Sequence, residues 1–161
     1  MKLVDWLSEY GLESLKFNTG HMEAEFKPNC ADKKAAWELY IELLTRTATQ
    51  EIPKDCGDEE AALESIHKLF GITREIIKKY GYKCIEFTKI SIVVLNQILR
   101  PFTTKWHKLS KNNVFNNPEQ CKIFREDLDE IQSKLIMYTR MLASMSDVED
   151  LTNIESIAIN D

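Results

Sequence analysis

A chain of 161 residues has the length of one ordinary domain, and 43% hydrophobic with 29% charged residues excludes disorder as the default state. A net charge of -5 disfavours unaided binding to nucleic acid or to an anionic membrane. Asp5, Glu9 and Glu13 stand where a secretory signal needs an apolar run, and the longest apolar stretch, residues 90–99, is about half of the ~20 residues that cross a bilayer. We therefore expect a cytoplasmic protein with no membrane partner.

The first 28 residues are predicted to form a small cap on the rest of the chain. An amphipathic pattern over residues 2–10 indicates a short helix that ends at Gly11. From Leu15 to Phe26 apolar and polar residues alternate on both sides of a glycine-containing turn, which predicts a small β-hairpin. Because a lone hairpin is marginally stable in water, we expect it to lie on a helical core.

The first of four long helices is predicted over residues 32–50, with Asp32 as its N-cap. Trp37 and Ile41 widen its apolar stripe, so we expect this helix to be packed on more than one side. A polar loop at residues 51–57 follows it.

The second and third long helices are marked by charge, glycine and proline. The second begins at the acidic run 58–60 and ends at Gly81, and Gly71 inside it predicts a kink or a close helix contact. The third covers residues 83–108, is apolar on nearly all sides at its centre, and is therefore expected to be buried. Pro101 removes a backbone donor and predicts a kink or break near residues 97–101.

Asn96 and Gln97 interrupt this apolar helix, and a buried amide needs hydrogen-bond partners. They are expected either to fix the register of the helices or to line a site. The last helix starts at Pro118 behind Asn117 as cap, and its apolar residues follow at steps of three and four: Cys121, Phe124, Leu128, Ile131, Leu135, Tyr138 and Leu142.

The pattern as a whole predicts a mainly all-α protein, a four-helix bundle with a short N-terminal helix and a small β-hairpin. We expect a single helical domain over residues 1–148, in which residues 1–28 form the cap and residues 30–146 form the bundle. Residues 149–161 are expected to be an acidic, flexible tail, although its isoleucines could dock instead.

Side chains that could carry chemistry are sparse. The four cysteines are widely spaced and are expected to be free thiols, with Cys56 exposed in the polar loop. A carboxylate-bridged di-metal bundle needs Glu-x-x-His on two helices, and one match occurs, from Glu64 to His67. The acidic residues Glu38, Glu42, Glu75 and Glu86 only imitate the rest of such a site. We therefore predict no catalytic residues, no metal and no cofactor. A protein that is not an enzyme fits this sequence better than an enzyme does.

The segment 100–111 is the most distinctive in the chain, because it combines four fixed positive charges with two aromatic residues and a histidine. One interpretation is a nucleotide or nucleic-acid site in which the cations hold phosphate and an indole stacks on a base. The other is an amphipathic helix end with its aromatic residues packed inward. The candidate ligand-binding residues are Arg100, Lys105, Trp106, His107 and Lys108.

Three segments resemble a widespread group of small helical bacterial proteins without an established activity. They are Ala35-Ala36-Trp37-Glu38-Leu39-Tyr40, Arg100-Pro101-Phe102-Thr103-Thr104-Lys105-Trp106-His107 and Val148-Glu149-Asp150-Leu151-Thr152. The resemblance extends over nearly the whole chain. It implies a bacterial cytoplasmic origin and carries over no functional residue.

Two functions follow as hypotheses, with a third behind them. The first is a non-catalytic helical interaction module, an accessory subunit or a homo-oligomer, because the apolar third helix exceeds the needs of a small bundle. The second is a nucleotide- or nucleic-acid-binding protein that uses the segment 100–111. The third is an enzyme centred on His67 or His107.

Overall fold

The computed structural model describes residues 1–46 and 58–155, and within these ranges the chain is all-α and forms no β-strand. None of the described helices is both long and apolar enough to cross a membrane. The α-helices are α1 (Leu3–Glu9), α2 (Thr19–Glu23), α3 (Cys30–Leu44), α4 (Glu59–Tyr80), α5 (Ile85–Val94), α6 (Arg100–Ser110) and α7 (Pro118–Met145). Short 3₁₀ turns lie at Gly81–Lys83 and Val114–Asn116.

The predicted hairpin at residues 15–26 is wrong. Its turn is instead the short helix α2, because the side chain of Asn18 accepts the N–H of His21 at 3.0 Å and caps it. Leu15 and Phe26 are buried and Phe17 and Met22 pack against the core, so these apolar side chains reach the core without forming paired strands. The only extended pairing in this region is one isolated antiparallel bridge between Lys2 and Glu25.

Helix α3 begins two residues before the predicted start. Asn29, not Asp32, is its N-cap, and Asp32 is the third helical residue of a capping box. The Asp32 carboxylate is fully buried and accepts the N–H of Asn29 at 2.8 Å and that of Phe87 at 3.0 Å. It therefore joins the start of α3 to the start of α5. The helix ends at Leu44, short of the predicted end, and the predicted loop 51–57 with Cys56 lies outside the described residues.

Helix α3 is packed on more than one side, as predicted, since it contacts α4, α5 and α7. Trp37 and Ile41 do not provide this packing, because they are 43% and 38% exposed. Helix α4 runs without interruption past Gly71, and a methyl group at that position would meet no atom within 4 Å. The expected close helix contact is therefore absent. Gly81 ends α4 with a φ of 66°, as predicted.

The predicted disturbance at Pro101 takes the form of one π-helical turn over Leu95–Leu99, between α5 and α6, in which the N–H of Arg100 donates to the carbonyl of Leu95. The turn widens the helix just before the proline, whose missing N–H cannot complete an α-helical ladder. The predicted burial of Asn96 and Gln97 is wrong, since both are exposed at this turn.

The long helices enclose one apolar core. Helix α3 packs against α4, α5 and α7, and α4 packs against α6. All seven apolar positions predicted for α7 are buried, and Asn117 caps this helix by accepting the N–H of Glu119 at 3.0 Å, as its sequence predicts. A buried ion pair between Glu59 and Arg125, at 3.0 Å, ties the start of α4 to α7.

The first part of the expected flexible tail is docked. The N–H of Leu151 donates to the hydroxyl of Tyr40 at 2.6 Å, and Val148 and Leu151 pack against the core. A positive φ at Asp147 turns the chain back from the end of α7. Ile154 is 65% exposed, and the remaining isoleucines of the tail lie outside the described residues.

Candidate functional site

Trp106 of the segment 100–111 belongs to the core. Its side chain has no exposed surface, and its ring packs on Phe115 and against Phe124, with centroids 6.0 and 5.1 Å away. The indole Nε1–H donates to the Asp127 carboxylate at 3.0 Å. Stacking on a base would require this ring to leave the core.

The cations of α6 point in different directions. Lys105 pairs with Asp127 of α7 at 2.7 Å, whereas Arg100 lies over the ring of Phe70 in α4 and donates to Asn96. Lys108 is exposed. The five predicted residues therefore have different partners, and ligand binding by the exposed cations among them stays a prediction.

His107 has a neighbour that separate inspection of the two histidines in the sequence did not reveal. Its ring lies edge-on to that of His67 in α4, with centroids 4.6 Å apart. The Nε2 atom of His107 is buried and has no hydrogen-bond partner. Burial lowers the pKa of His107 below its ordinary value of 6.5, and the positive charge of Lys111 and the nearby His67 lower it further. The α4–α6 contact therefore favours the neutral imidazole of His107.

The carboxylates that imitate a di-metal site are engaged elsewhere. Each has a cationic partner: Glu38 with Lys79, Glu42 with Arg46, Glu75 with Lys78 and Glu86 with Lys89. Within residues 1–46 and 58–155, no three His, Cys, Asp or Glu side chains are grouped closely enough to hold a metal ion.

The most unusual surface lies on α5 and just before it. Tyr82 is 87% exposed, and Ile85 and Ile92 are each 48% exposed. Ile85 and Ile92 are seven residues apart and therefore share one face of the helix. We call Tyr82, Ile85 and Ile92 the α5 face. The opposite side of α5 is buried through Phe87 and Ile90, so this helix is apolar on both sides although only one side is covered by residues that the structure describes.

A basic cavity of about 670 Å³ adjoins the α5 face where the start of α3 meets the end of α4. Lys34, Lys79 and Lys83 line it together with Tyr82 and Ile85, and no acidic residue among those described lines it. We call this the lysine pocket. Another open groove, of about 870 Å³, lies between α3 and α4 beside Trp37 and Ile41, and its lining mixes acidic and basic side chains.

Neither a protein-family model, nor a curated protein, nor a solved structure matches the chain.

Two of these arrangements have chemical consequences. The lysine pocket offers positive charge beside apolar surface, which suits a ligand that is both anionic and apolar. The α5 face offers three exposed apolar side chains, which suit protein–protein contact. Sequence periodicity predicted neither surface. A helix that is apolar on all sides gives no indication of which side remains outside, and the lysine pocket depends on residues that only the fold brings together.

Proposed function

We propose that this chain is a non-catalytic helical interaction module of the bacterial cytoplasm, a bundle of four long helices that acts as an accessory subunit or as a homo-oligomer. The α5 face is its contact surface. The observation that carries the proposal is the exposure of Ile85 and Ile92 on one face of α5, and of Tyr82 just before it, while the opposite side of this helix is already in the core.

Burial of this face has a favourable free energy. Complete burial of an isoleucine side chain contributes about 1.5–3 kcal/mol, so covering a half-exposed one contributes about 1 kcal/mol. Tyr82 adds a large ring with a hydroxyl that can find a partner at an interface rim, which is the behaviour typical of interface tyrosines. The α5 face is small, and it therefore fits the centre of an interface whose rim is polar.

Sedimentation velocity of the purified chain and affinity capture from its native host test the proposal together. We expect the wild-type chain to form an oligomer or to retain a stoichiometric protein partner. Ile92→Glu places a charge on the α5 face and should weaken association by about tenfold or more.

The matched control is Ile123→Glu on α7, where an isolated isoleucine is 39% exposed. This variant should associate like the wild type. A chain that stays monomeric at every concentration and retains no protein, or equal effects of the two variants, would contradict the proposal.

A further inference from the structure

The lysine pocket departs from the charge of the rest of the molecule. The chain as a whole carries -5, yet three lysines and no acidic residue of the described part line this cavity. The ammonium of Lys79 is paired with Glu38. In the described residues no ion pair involves Lys34 or Lys83, and both side chains are exposed. Two cations are therefore available to a ligand, and they attract negative charge to this point.

The local backbone does not favour a free phosphate. The side chain of Asn29 already accepts the N–H groups of Ala31 and Asp32 at the start of α3, at 2.8 and 3.1 Å, so these donors are not directed into the pocket. Lysine supplies a point charge, and the pocket has no arginine to grip phosphate through two bonds. The lysines of this pocket therefore suit carboxylates better than free phosphate.

The apolar α5 face adjoins the lysine pocket. Tyr82 and Ile85 line the pocket and also belong to the α5 face, so a single extended segment can contact the cations and the apolar residues together. A segment that satisfies both must carry acidic and apolar side chains close together.

We propose that the occupant of this surface is an acidic amphipathic segment of a different protein. Its carboxylates bind Lys34 and Lys83, and its apolar side chains cover Tyr82, Ile85 and Ile92. This inference rests on the proposed function, since it identifies the chemistry of the partner that the α5 face contacts. The lysines accelerate encounter and select the partner, and the apolar face holds it.

The test measures fluorescence anisotropy of a labelled peptide, EELLEELLEELL, titrated with the full chain at low and at physiological salt. The comparison ligands are KKLLKKLLKKLL and ATP. We expect the acidic peptide to bind, the basic peptide not to bind, and added salt to weaken binding. Lys34→Gln with Lys83→Gln should lower the affinity by about tenfold. The matched control, Lys16→Gln with Lys122→Gln, removes two exposed lysines elsewhere and should leave the affinity unchanged.

The outcomes separate this inference from the proposed function. One outcome is that Ile92→Glu disrupts a protein complex although the acidic peptide fails to bind. Another is that it does so although the Lys34/Lys83 variant and its control bind the peptide equally well. Either result refutes the acidic partner and leaves the contact face standing. If ATP binds in place of the peptide, the pocket is a nucleotide site and the inference is overturned. If the wild type self-associates and the Lys34/Lys83 variant does not, the occupant is a second copy, which overturns the assignment to a different protein.

Discussion

The buried carboxylate of Asp32 provides a quantitative test of how the fold is held together. Asp32→Ala removes the acceptor of two backbone N–H groups, those of Asn29 and Phe87. Phe87 is fully buried, so its N–H cannot turn to water instead. A hydrogen bond to a charged group contributes about 1.5–3 kcal/mol. The variant loses two such bonds, but it no longer buries a charge, and this gain offsets part of the loss. We expect a loss of about 2–4 kcal/mol in the free energy of unfolding.

Urea unfolding followed by circular dichroism measures this loss. With a slope of about 2 kcal/mol per molar urea, the midpoint should fall by about 1–2 M with the slope unchanged. Asp32→Asn keeps one acceptor oxygen and should lose about half as much. Glu60→Ala removes an exposed acid from the first turn of α4 and should cost only about 0.3–1 kcal/mol. If Asp32→Ala costs no more than Glu60→Ala, the carboxylate does not join α3 to α5 as described.

Three further predictions concern α6 and the π-helical turn. Because the folded chain keeps the pKa of His107 below 6.5, the unfolded chain binds more protons, and the free energy of unfolding should fall as the pH drops below 6.5. His107→Gln should make the free energy of unfolding, measured in urea at several pH values, depend less on pH. An unchanged pH dependence would contradict the pKa shift. Trp106→Phe loses the donor to Asp127 and leaves a void, so we expect about 2–3 kcal/mol less stability in urea; a loss below about 1 kcal/mol would speak against a tightly held indole. The Gln97 amide accepts the Lys16 N–H at 2.8 Å and donates to the Lys16 carbonyl at 2.7 Å, so Gln97→Ala should raise hydrogen exchange at the Lys16 amide by about tenfold; equal exchange in both chains would refute this tether.

The elements that the sequence predicts well are those in which local signals agree. In α7, Pro118 behind Asn117 fixes the start, and apolar residues at steps of three and four fix the buried face. Gly81 ends α4 with a positive φ that favours glycine. Pro101 indicates where the third helix is disturbed, because a missing donor disturbs any helical ladder.

The hairpin failed because two local signals competed. Alternation over residues 15–26 favours strands, but Asn18 is also a good helix cap, and one helical turn satisfies its own backbone donors without a partner strand. A two-residue period predicts a strand only where one face of that strand is buried. Here Phe17 and Met22 do pack against the core, but the extended pairing of this region is limited to one bridge, between Lys2 and Glu25.

The candidate surfaces could not be predicted because they depend on tertiary contacts. His67 and His107 are 40 residues apart, and only the packing of α4 on α6 brings their rings together. Similarly, Lys34 and Lys83 meet at one pocket because Asp32 and Asn29 fasten the start of α3 beside the start of α5. The sequence left two interpretations open for Trp106, stacking on a ligand or packing inward, because a tryptophan beside lysines has the same composition in both cases. The structure shows that it packs inward.

The most direct test of the contact face is photo-crosslinking in living cells. A photoreactive phenylalanine derivative is placed at Ile85 or at Ile92, and at Ile123 as the control. The account predicts that illumination joins another polypeptide to the chain from the two positions on α5 and not from α7. Equal crosslinking from all three positions, or none from Ile85 and Ile92, would contradict it.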